Sequence, residues 1–383
     1  MKILFFSTYF YPYISGLTLY PWRILNHLSK KHKITVLTFN HLQNSLKISN
    51  FKFQINYLPY LFRLSKGFIS PQSIIYFLKE VKKNDLIILN LPNFEGFALA
   101  FFAKLFGKKI ISIYHCQVEL ENGFFLKIIN IFLNISVYLQ CLLSDTIVGH
   151  VDYINNTYIG KVFKNKIKTT FPPVEILPVS TQFINELKRL KKNAWIGYVG
   201  RIAREKGIEY LVQATCPSGR RVKRLDNVKL VFAGPSTTVG ENKYLQYVKT
   251  LLIKNKVDYL FLGQLTPEQL GAFYKTIDLL VLPSTNQTEA FGMTQVEAML
   301  LRTPVIATNL PGIKIPIQLT RMGLFVEPKN PEQITKAIQE ILKNKNKYTN
   351  KKLVNNARNI FDIKKVYKLY DDLVDGANLN LTA

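Results

Sequence analysis

Cysteine is scarce in this sequence: Cys116, Cys141 and Cys216 are the only three in 383 residues, and they lie far apart. An odd number of distant cysteines makes neither a disulfide framework nor a CxxC or zinc-ligand motif, and it is typical of the reducing cytoplasm. HxxE, HExxH and Asp-rich metal motifs are also missing. Disulfide-stapled miniproteins and proteins with a tightly held metal are therefore excluded as classes.

Apolar runs without polar interruptions are short, and we expect neither a membrane span nor a signal peptide. The N-terminal run Ile3–Phe6 is soon broken by proline and glycine, and no small-residue cleavage site follows, so it predicts a strand and not a signal peptide. The longest apolar stretch, Gly123–Leu143, carries Lys127, Asn130 and Asn134 as a polar stripe, which favours an amphipathic helix over a membrane span. We expect a cytoplasmic protein, with a peripheral position on the inner face of the membrane left open.

Acidic residues are outnumbered: 25 Asp and Glu stand against 51 Lys and Arg, for a formal net charge of +26. This charge favours anionic partners such as nucleotides, acidic lipid surfaces or nucleic acid, but a drift in composition explains it as well. Apolar residues make up 48% of the chain, enough for a large core, which excludes disorder. A length beyond the roughly 250–300 residues of a single core predicts two domains.

Short apolar runs of strand type alternate with segments of helical period, which predicts parallel α/β sheets. The alternation stops at the prolines and the charged segment before residue 193 and restarts at Trp195. We therefore predict two Rossmann-like domains facing across a cleft, at residues 1–175 and 193–360, with a linker at 176–192. Ligands of such sheets bind at the carboxyl ends of the strands.

The strongest motif follows the apolar run Asp278–Pro283, where a polar loop leads into a predicted helix. Glu289 and Glu297 are eight residues apart, about two turns and so on one face if both are helical. The backbone amides of 291–293 would suit a phosphate oxygen, and Gly292 would let it approach. Glu297 would then reach ribose hydroxyls and Glu289 a sugar. The alternative is a helix without a binding role, in which Glu289 lies near the N-terminus and interacts favourably with the helix dipole while Glu297 is exposed to solvent.

A second motif, Gly200–Gly207, comes directly after a predicted strand and contains Arg201 and Lys206. The planar guanidinium of Arg201 and the compact ammonium of Lys206, five residues apart, can together bind a diphosphate. They would stabilise a departing nucleotide diphosphate without a metal. Taken alone, the motif also fits a solvated loop.

Two weaker signals lie in the first half. Gly16 opens a predicted helix after the first strand and permits close approach of a phosphate or sugar, although one glycine is also an ordinary turn. His115 lies at the carboxyl end of a predicted strand, where a histidine can serve a ligand or the core.

Together these motifs resemble the retaining glycosyltransferases of the GT-B fold in glycosyltransferase family 4, also called group 1 glycosyl transferases. The resemblance covers nearly the whole chain, and the motifs occur in the family's order. The E-x7-E spacing is highly specific for the family, and the Arg/Lys loop is moderately so. Corroborating matches are Ser144–Val148, Pro172–Val174, Thr303–Thr308 and Gly323–Val326.

The resemblance implies a hexosyltransferase that moves a sugar from a UDP- or GDP-sugar to a glycan or lipid-linked acceptor, with retention of configuration and without a metal or cofactor. It implies that 1–175 binds the acceptor, that 193–360 binds the nucleotide sugar, and that a C-terminal helix at 361–383 crosses back to the first domain. Polysaccharide biosynthesis at the cell envelope is the usual setting. Contact with an anionic membrane is open, and no nucleic acid partner is expected.

The resemblance also implies a role for each motif residue. Four residues are expected to act in catalysis: His115, Arg201, Lys206 and Glu289. Donor binding is expected from Gly16, Arg201, Lys206, Glu289, Ala290, Phe291, Gly292 and Glu297. The two cations would bind the diphosphate with Gly16 against it. Glu297 would bind the ribose, and Glu289 with the 290–292 amides would bind the donor sugar, with His115 near the reacting centre.

Three departures from the family pattern stand out. Many relatives have Gly-Gly in the first loop, where this chain has Ser15-Gly16, and many have Gly-Gly followed by glutamate where it has Leu310–Lys314. The basic segment Arg220–Arg224 looks like an insertion. None of these changes Arg201, Lys206, Glu289 or Glu297.

Two other readings compete with the transferase. One is a GT-B scaffold that has lost catalysis and acts as a basic adaptor for membranes or polyanions, since fold alone does not imply activity. An adaptor has no need for a complete donor set, which argues against it. The other is a GT-B epimerase or phosphorylase, which the E-x7-E spacing and the lack of a Lys-anchored cofactor motif disfavour.

Overall fold

The computed structural model describes residues 1–10, 13, 15–40, 52–64, 67–118, 124–216, 225, 227–235 and 242–379; the segment 220–224 lies outside them. The chain divides into two compact units, Met1–Pro173 with Ile363–Ala383, and Val174–Asp362. Within the described residues each unit is built around a parallel sheet. The prediction of an α/β protein with parallel sheets is confirmed.

The elements of the first unit alternate along the chain. Its described strands are β1 (Lys2–Phe6), β2 (Lys33–Phe39), β3 (Gln54–Leu58), β4 (Phe62–Leu64), β5 (Gly67–Ile69), β6 (Leu86–Leu91), β7 (Lys109–Tyr114), β8 (Thr146–His150) and β9 (Ile167–Thr170). Its described helices are α1 (Gly16–Leu28), α2 (Ser73–Lys83), α3 (Gly96–Leu105), α4 (Phe124–Leu143), α5 (Tyr158–Val162) and the last helix of the chain, α15 (Ile363–Leu379).

The described part of the first sheet has the strand order β3-β2-β1-β6-β7-β8-β9, and β4 and β5 form a separate antiparallel hairpin. The chain winds outward from β1 in one direction and then from β6 in the other. The order therefore reverses between β1 and β6, which is the switch point where doubly wound sheets bind ligands.

Helices cover both faces of this sheet. On one face α1 and α15 pack against Ile3 and Phe5 of β1, and the hydroxyls of Tyr20 and Tyr370 are 2.9 Å apart. On the other face α2 packs against β1, where the rings of Phe6 and Phe77 meet edge to face. Helices α3 and α4 follow beside it. Alternate residues of β1 thus serve opposite layers, as the two-residue period of a strand requires.

The second unit repeats this plan. Its described strands are β10 (Ala194–Val199), β11 (Val228–Ala233), β12 (Tyr259–Gly263), β13 (Leu279–Leu282), β14 (Val305–Thr308) and β15 (Gly323–Val326). Its described helices are α6 (Thr181–Leu190), α7 (Ile208–Thr215), α8 (Asn242–Lys254), α9 (Pro267–Thr276), α10 (Met293–Leu300), α11 (Lys314–Thr320), α12 (Pro331–Lys343), α13 (Lys345–Thr349) and α14 (Lys351–Ile360).

Its strand order, within the described residues, is β12-β11-β10-β13-β14-β15, with all neighbours parallel. The switch point lies between β10 and β13, which pair at Ile196 with Leu279. The loops that leave these two strands carry the two strongest sequence motifs. Parallel neighbours end at the same sheet edge, so the fold brings those motifs to one place.

The segment 176–192, expected to be a linker, differs from that expectation. It contains α6, which packs against α9 and belongs to the second unit. Ser180 caps α6 by accepting from the Phe183 amide (3.2 Å), and Leu187 is buried. The charged residues Glu186, Lys188 and Arg189 of this helix are exposed, and Lys191, just after the helix, pairs with Asp278 at 2.7 Å.

Candidate functional site

The loops after β10 and β13 are joined through the backbone of Glu205. The Thr285 amide donates to the Glu205 carbonyl (2.9 Å), and the Thr285 hydroxyl donates to the same oxygen (3.2 Å). Arg201 and Lys206 are in the first loop and Glu289 is in the second. The two motifs predicted separately from the sequence therefore form one site in the second unit.

Gly207 makes this junction sterically possible. Its φ of +62° is left-handed, and a Cβ there would lie 2.3 Å from the Pro283 carbonyl oxygen and 2.8 Å from Thr285 Cγ2. Only glycine combines this backbone conformation with so close an approach. The close packing of the two loops thus explains why the Arg/Lys motif ends in glycine.

Both cations of the site are paired with carboxylates. Lys206 Nζ forms an ion pair with Glu289, and Arg201 Nη2 donates to Glu205 Oε1 at 3.0 Å. All four side chains are between one-fifth and three-tenths exposed. They are therefore accessible to a polar ligand while being held in fixed directions.

Tyr198 holds the loop that carries Arg201 and Lys206 in place, a role that the sequence reasoning missed. Its hydroxyl donates to the Arg201 carbonyl (2.7 Å), and the ring is buried at the end of β10. Burial, and then the Glu289 carboxylate, raise the pKa of Tyr198 well above its ordinary value, so the phenol stays protonated. An aromatic residue two positions before Gly200 was the available signal.

Helix α10 begins directly after the loop that carries Glu289. Gly292 is its N-cap with φ +71°, and a Cβ there would lie 2.8 Å from Leu282 Cδ2. Buried Gln295 donates from Nε2 to the carbonyls of Phe291 (2.6 Å) and Ile313 (2.9 Å). Ala290 is buried as well. The turn 290–292 is thus held rigidly where a helix N-terminus favours an anion.

The structure corrects the expected relation between the two glutamates. Glu289 lies in the loop, and of the two only Glu297 is on α10, so they do not share a helical face. Glu297 is 5% exposed and accepts from the Tyr274 hydroxyl at 3.1 Å. The alternative of an exposed Glu297 is therefore wrong, and Tyr274 is a further partner that the sequence reasoning missed.

In the first unit, Asn90 connects the two weaker sequence signals. Its Oδ1 accepts from His115 Nε2 (2.7 Å), while its Nδ2 donates to the Leu17 carbonyl (3.1 Å) and the Ser7 hydroxyl (2.9 Å). Gly16 is the first residue of α1 and adjoins Leu17. The amide of Asn90 is oriented by its other bonds, so His115 carries its proton on Nε2.

His115 lies inside the unit, 4% exposed, with the Tyr20 ring edge-on at a centroid distance of 4.9 Å. Burial, with His150 nearby, holds the pKa of His115 well below its ordinary value. Burial likewise lowers the pKa of His150 to about 4. Both rings are therefore neutral at pH 7.

The first-loop departure from the family pattern has a local reason. Ser15 is the N-cap of α1, and its amide donates to Thr18 Oγ1 at 2.9 Å. The Ser15 hydroxyl also lies 3.3 Å from Thr18 Oγ1, a side-chain contact that a second glycine would lack.

The described residues contain neither a candidate metal site nor a candidate membrane-spanning helix. No group of three or more His, Cys, Asp or Glu side chains is placed to hold a metal ion. No helix in that part of the chain has both the length and the apolar character needed to cross a membrane.

Comparison with known proteins identifies a family over the second unit. Residues 179–360 match the model of the family described as "Glycosyl transferases group 1". An uncharacterized glycosyltransferase of Methanocaldococcus jannaschii is 24% identical over 90% of this chain and 89% of its own. A D-inositol 3-phosphate glycosyltransferase of Corynebacterium urealyticum is 33% identical over 38% of this chain and 34% of its own. Another uncharacterized M. jannaschii glycosyltransferase is 34% identical, and the alignment spans only 35% of its length.

Solved structures resemble the whole chain. HepE of Anabaena, in complex with UDP-glucose, has a TM-score of 0.78 at 18% identity, covering 98% of this chain and all of the other. Sucrose-phosphate synthase of Thermosynechococcus elongatus has a TM-score of 0.74, also at 18% identity, covering 98% and 99%. The fold is that of the GT-B glycosyltransferases. The chain thus has glycosyltransferase homologues, and its residues 179–360 match the group 1 glycosyl transferase model.

Proposed function

We propose that this protein is a retaining hexosyltransferase of glycosyltransferase family 4. It transfers a sugar from a UDP- or GDP-sugar to a glycan or lipid-linked acceptor, without a metal. The observation that carries the proposal is the joined site of the second unit, where the loop of Arg201 and Lys206 is bonded to the loop of Glu289, which leads into the rigid turn before α10.

In this proposal, Arg201 and Lys206 bind the diphosphate of the donor. The bond between the anomeric carbon and the diphosphate oxygen breaks, and the negative charge that develops on that oxygen is stabilised by the two cations. The acceptor hydroxyl attacks the same face of the sugar, and its proton passes to the departing phosphate. The bond to the acceptor thus replaces the bond to the diphosphate, with retention of configuration.

Glu289 and the amides of Ala290, Phe291 and Gly292 bind the donor sugar, and Glu297 binds the ribose. The rigid turn supports the first role, because preorganised amides need no rearrangement when the donor binds. The second requires the donor ribose to approach a carboxylate already bonded to Tyr274.

From the first unit, the proposal keeps His115 near the reacting centre and Gly16 against the diphosphate. A neutral imidazole with its proton on Nε2 presents Nδ1 as an acceptor, which suits a sugar hydroxyl. The acceptor is assigned to this unit. The setting is polysaccharide biosynthesis at the cell envelope, in the cytoplasm and with peripheral contact to an anionic membrane. A Staphylococcus aureus relative that aligns over 40% of this chain is called a capsular polysaccharide biosynthesis glycosyltransferase.

A thermal-shift and hydrolysis screen against UDP-, GDP- and ADP-sugars, with a chelator present, tests this function. Because a ligand of the native state raises its apparent stability, we expect one donor to raise Tm and to be hydrolysed slowly without metal. If no donor in the panel has either effect on folded protein, the transferase proposal fails and the adaptor alternative takes its place.

A further inference from the structure

One face of the first unit exposes apolar side chains where a layer of surface helices normally exposes polar ones. Helices α2, α3 and α4 lie side by side on this face. Ile75 on α2 is 70% exposed, Phe101 on α3 is 50% exposed, and Phe124 on α4 is 83% exposed. Extended apolar surface of this kind marks an interaction site.

The exposed residues follow the helical repeat. On α3, Phe97, Phe101 and Leu105 are four residues apart, and on α4 Ile131 and Ile135 are also four apart. Residues at this spacing lie on one side of a helix. Helices α3 and α4 therefore each present a stripe of exposed apolar side chains, and these stripes adjoin each other, since Phe97 of α3 and Ile135 of α4 line the same groove.

A groove of about 340 Å³ opens between the stripes. Its walls include Phe97 of α3 with Phe132, Ile135 and Leu139 of α4. The polar group Glu95 also lines it, but its carboxylate accepts from the Phe68 amide (2.7 Å) and the Thr8 hydroxyl (3.0 Å). The groove thus offers an apolar ligand a mainly hydrocarbon lining with its one carboxylate already bonded.

Positive charge is interleaved with the apolar side chains. The three helices carry five lysines and a single glutamate, and that glutamate, Glu80, pairs with Lys83 at 3.0 Å. Lys79, Lys82 and Lys127 are exposed, and Lys82 Nζ lies 5.2 Å from the centre of the Phe106 ring just beyond α3. Lysine stems can lie along apolar surface while their ammonium groups reach anionic headgroups.

We propose that the α2–α3–α4 face docks on the surface of a bilayer rich in anionic phospholipid. The aromatic and aliphatic stripes enter the headgroup boundary, the lysines bind lipid phosphates, and the groove between α3 and α4 takes one lipid hydrocarbon chain. The combination of apolar stripes and basic charge on one helical layer favours this partner over a protein, since amphipathic surfaces of this composition bind acidic lipid interfaces. The proposal locates the membrane contact and does not depend on the donor site.

Flotation with vesicles of phosphatidylglycerol and phosphatidylcholine tests the surface without any sugar donor. We expect binding to mixed vesicles and little to pure phosphatidylcholine. The double variant F101D/I131D should lose at least tenfold in affinity. The matched control is I253D on α8 of the second unit, where Ile253 is 67% exposed, and it should bind like the unaltered protein. Replacing Lys79, Lys82 and Lys127 by Gln should weaken binding about fivefold per lysine.

A fluorescence measurement tests the groove itself. Phe132→Trp places a reporter in the groove wall, and brominated phosphatidylglycerol should quench its added emission, whereas the reporter I253W should be unaffected. The proposal is overturned if vesicles of both kinds bind equally or not at all, if I253D weakens binding as much as F101D/I131D, or if F132W is not quenched. The donor-induced rise in Tm is measured for F101D/I131D as well. If that rise is unchanged while vesicle binding fails the test, the membrane proposal fails independently of the transferase function.

Discussion

The ammonium of Lys206 and the carboxylate of Glu289 form an ion pair that joins the two loops at the switch point of the second sheet. The proposed roles separate these residues, giving Lys206 to the diphosphate and Glu289 to the sugar. In the proposed complex, the donor therefore meets two cations that are already paired: its diphosphate would compete with Glu289 for Lys206 and with Glu205 for Arg201.

Replacing Lys206 by Ala should slow sugar transfer far more than it destabilises the fold. Loss of one preorganised charge on the leaving group costs about 100-fold or more in kcat. A partly exposed ion pair contributes only about 0–1 kcal/mol to the free energy of unfolding. Transfer kinetics and urea unfolding of K206A measure both quantities.

Lys191 provides the matched control, because it is also partly buried, is in the same unit and pairs with Asp278 at 2.7 Å. K191A should cost stability without a comparable loss of kcat. Equal kcat values for K206A and the unaltered protein would remove Lys206 from the diphosphate site.

Glu289→Gln should separate nucleotide binding from transfer. Releasing Lys206 from its partner should tighten binding of the nucleoside diphosphate about two- to fivefold, the value of a partly exposed ion pair. Loss of the sugar contact should at the same time lower kcat at least tenfold. Calorimetric titration with UDP or GDP and steady-state kinetics measure the two effects.

E205Q is the companion variant, since it frees Arg201 in the same way without touching the residue proposed for the sugar. It should tighten nucleotide binding with a smaller effect on kcat than E289Q. Weaker nucleotide binding in both variants would show that the carboxylates do not compete with the diphosphate.

The sequence predicted the sheets well because buried parallel strands read as apolar runs. The run Ile3–Phe6, expected as a strand, lies in β1, and the stretch Gly123–Leu143, expected as an amphipathic helix, contains α4. Strands β3 and β9 have a weaker apolar pattern, because they lie at the sheet edges and are only partly buried. Helix α6 was taken as a linker because three of its last five residues are charged and only Leu187 is buried.

The sequence indicated candidate site residues, but it did not indicate how they are arranged. Spacing along the chain showed Arg201, Lys206 and Glu289, yet it contains no information on which carboxylate pairs with which cation. Asn90 and Tyr274 contact residues more than twenty positions away along the chain, so a motif search has no signal for them, whereas Tyr198 lies only three residues before its partner Arg201. The alternative of an exposed Glu297 failed because α10 is buried over Gln295–Leu300, which the sequence around a single glutamate does not show.

Asn90→Asp should change the protonation of His115. A carboxylate at Oδ1 in place of the amide oxygen would favour the imidazolium and raise the pKa of His115, which burial otherwise holds low. Nitrogen-15 NMR of the histidine rings from pH 5 to 8 should show no titration of His115 in the unaltered protein and a clear one in N90D. A ring that titrates alike in both proteins would mean that Asn90 does not control it.

His150 should make stability depend on pH. Its pKa is about 4 in the folded protein against an ordinary 6.5, so only the unfolded chain takes up this proton between those values. The free energy of unfolding therefore falls as the pH drops from 6.5 towards 4, by up to about 3 kcal/mol from this one ring.

H150F removes that proton uptake while keeping a ring beside Tyr20. Urea unfolding at pH 7.5 and 5.0 should show that the unaltered protein loses about 2 kcal/mol more than H150F over this range. Parallel losses in the two proteins would mean that the imidazole is already solvated or charged in the native state.

Gly207→Ala should both destabilise the second unit and impair the site. The left-handed φ alone costs about 1 kcal/mol or more for alanine. The new Cβ would in addition lie 2.3 Å from the Pro283 carbonyl, so the loops after β10 and β13 must separate.

Gly263 is the matched control that separates the steric effect from the backbone effect. Its φ is also left-handed, at +71°, but a Cβ there meets nothing within 4 Å. We expect G263A to lose about 1 kcal/mol with normal kcat, and G207A to lose about 3 kcal/mol with kcat at least tenfold lower, since Lys206 moves away from Glu289. Equal losses in the two variants would show that the junction tolerates a side chain and that the closeness of the loops is not needed for the site.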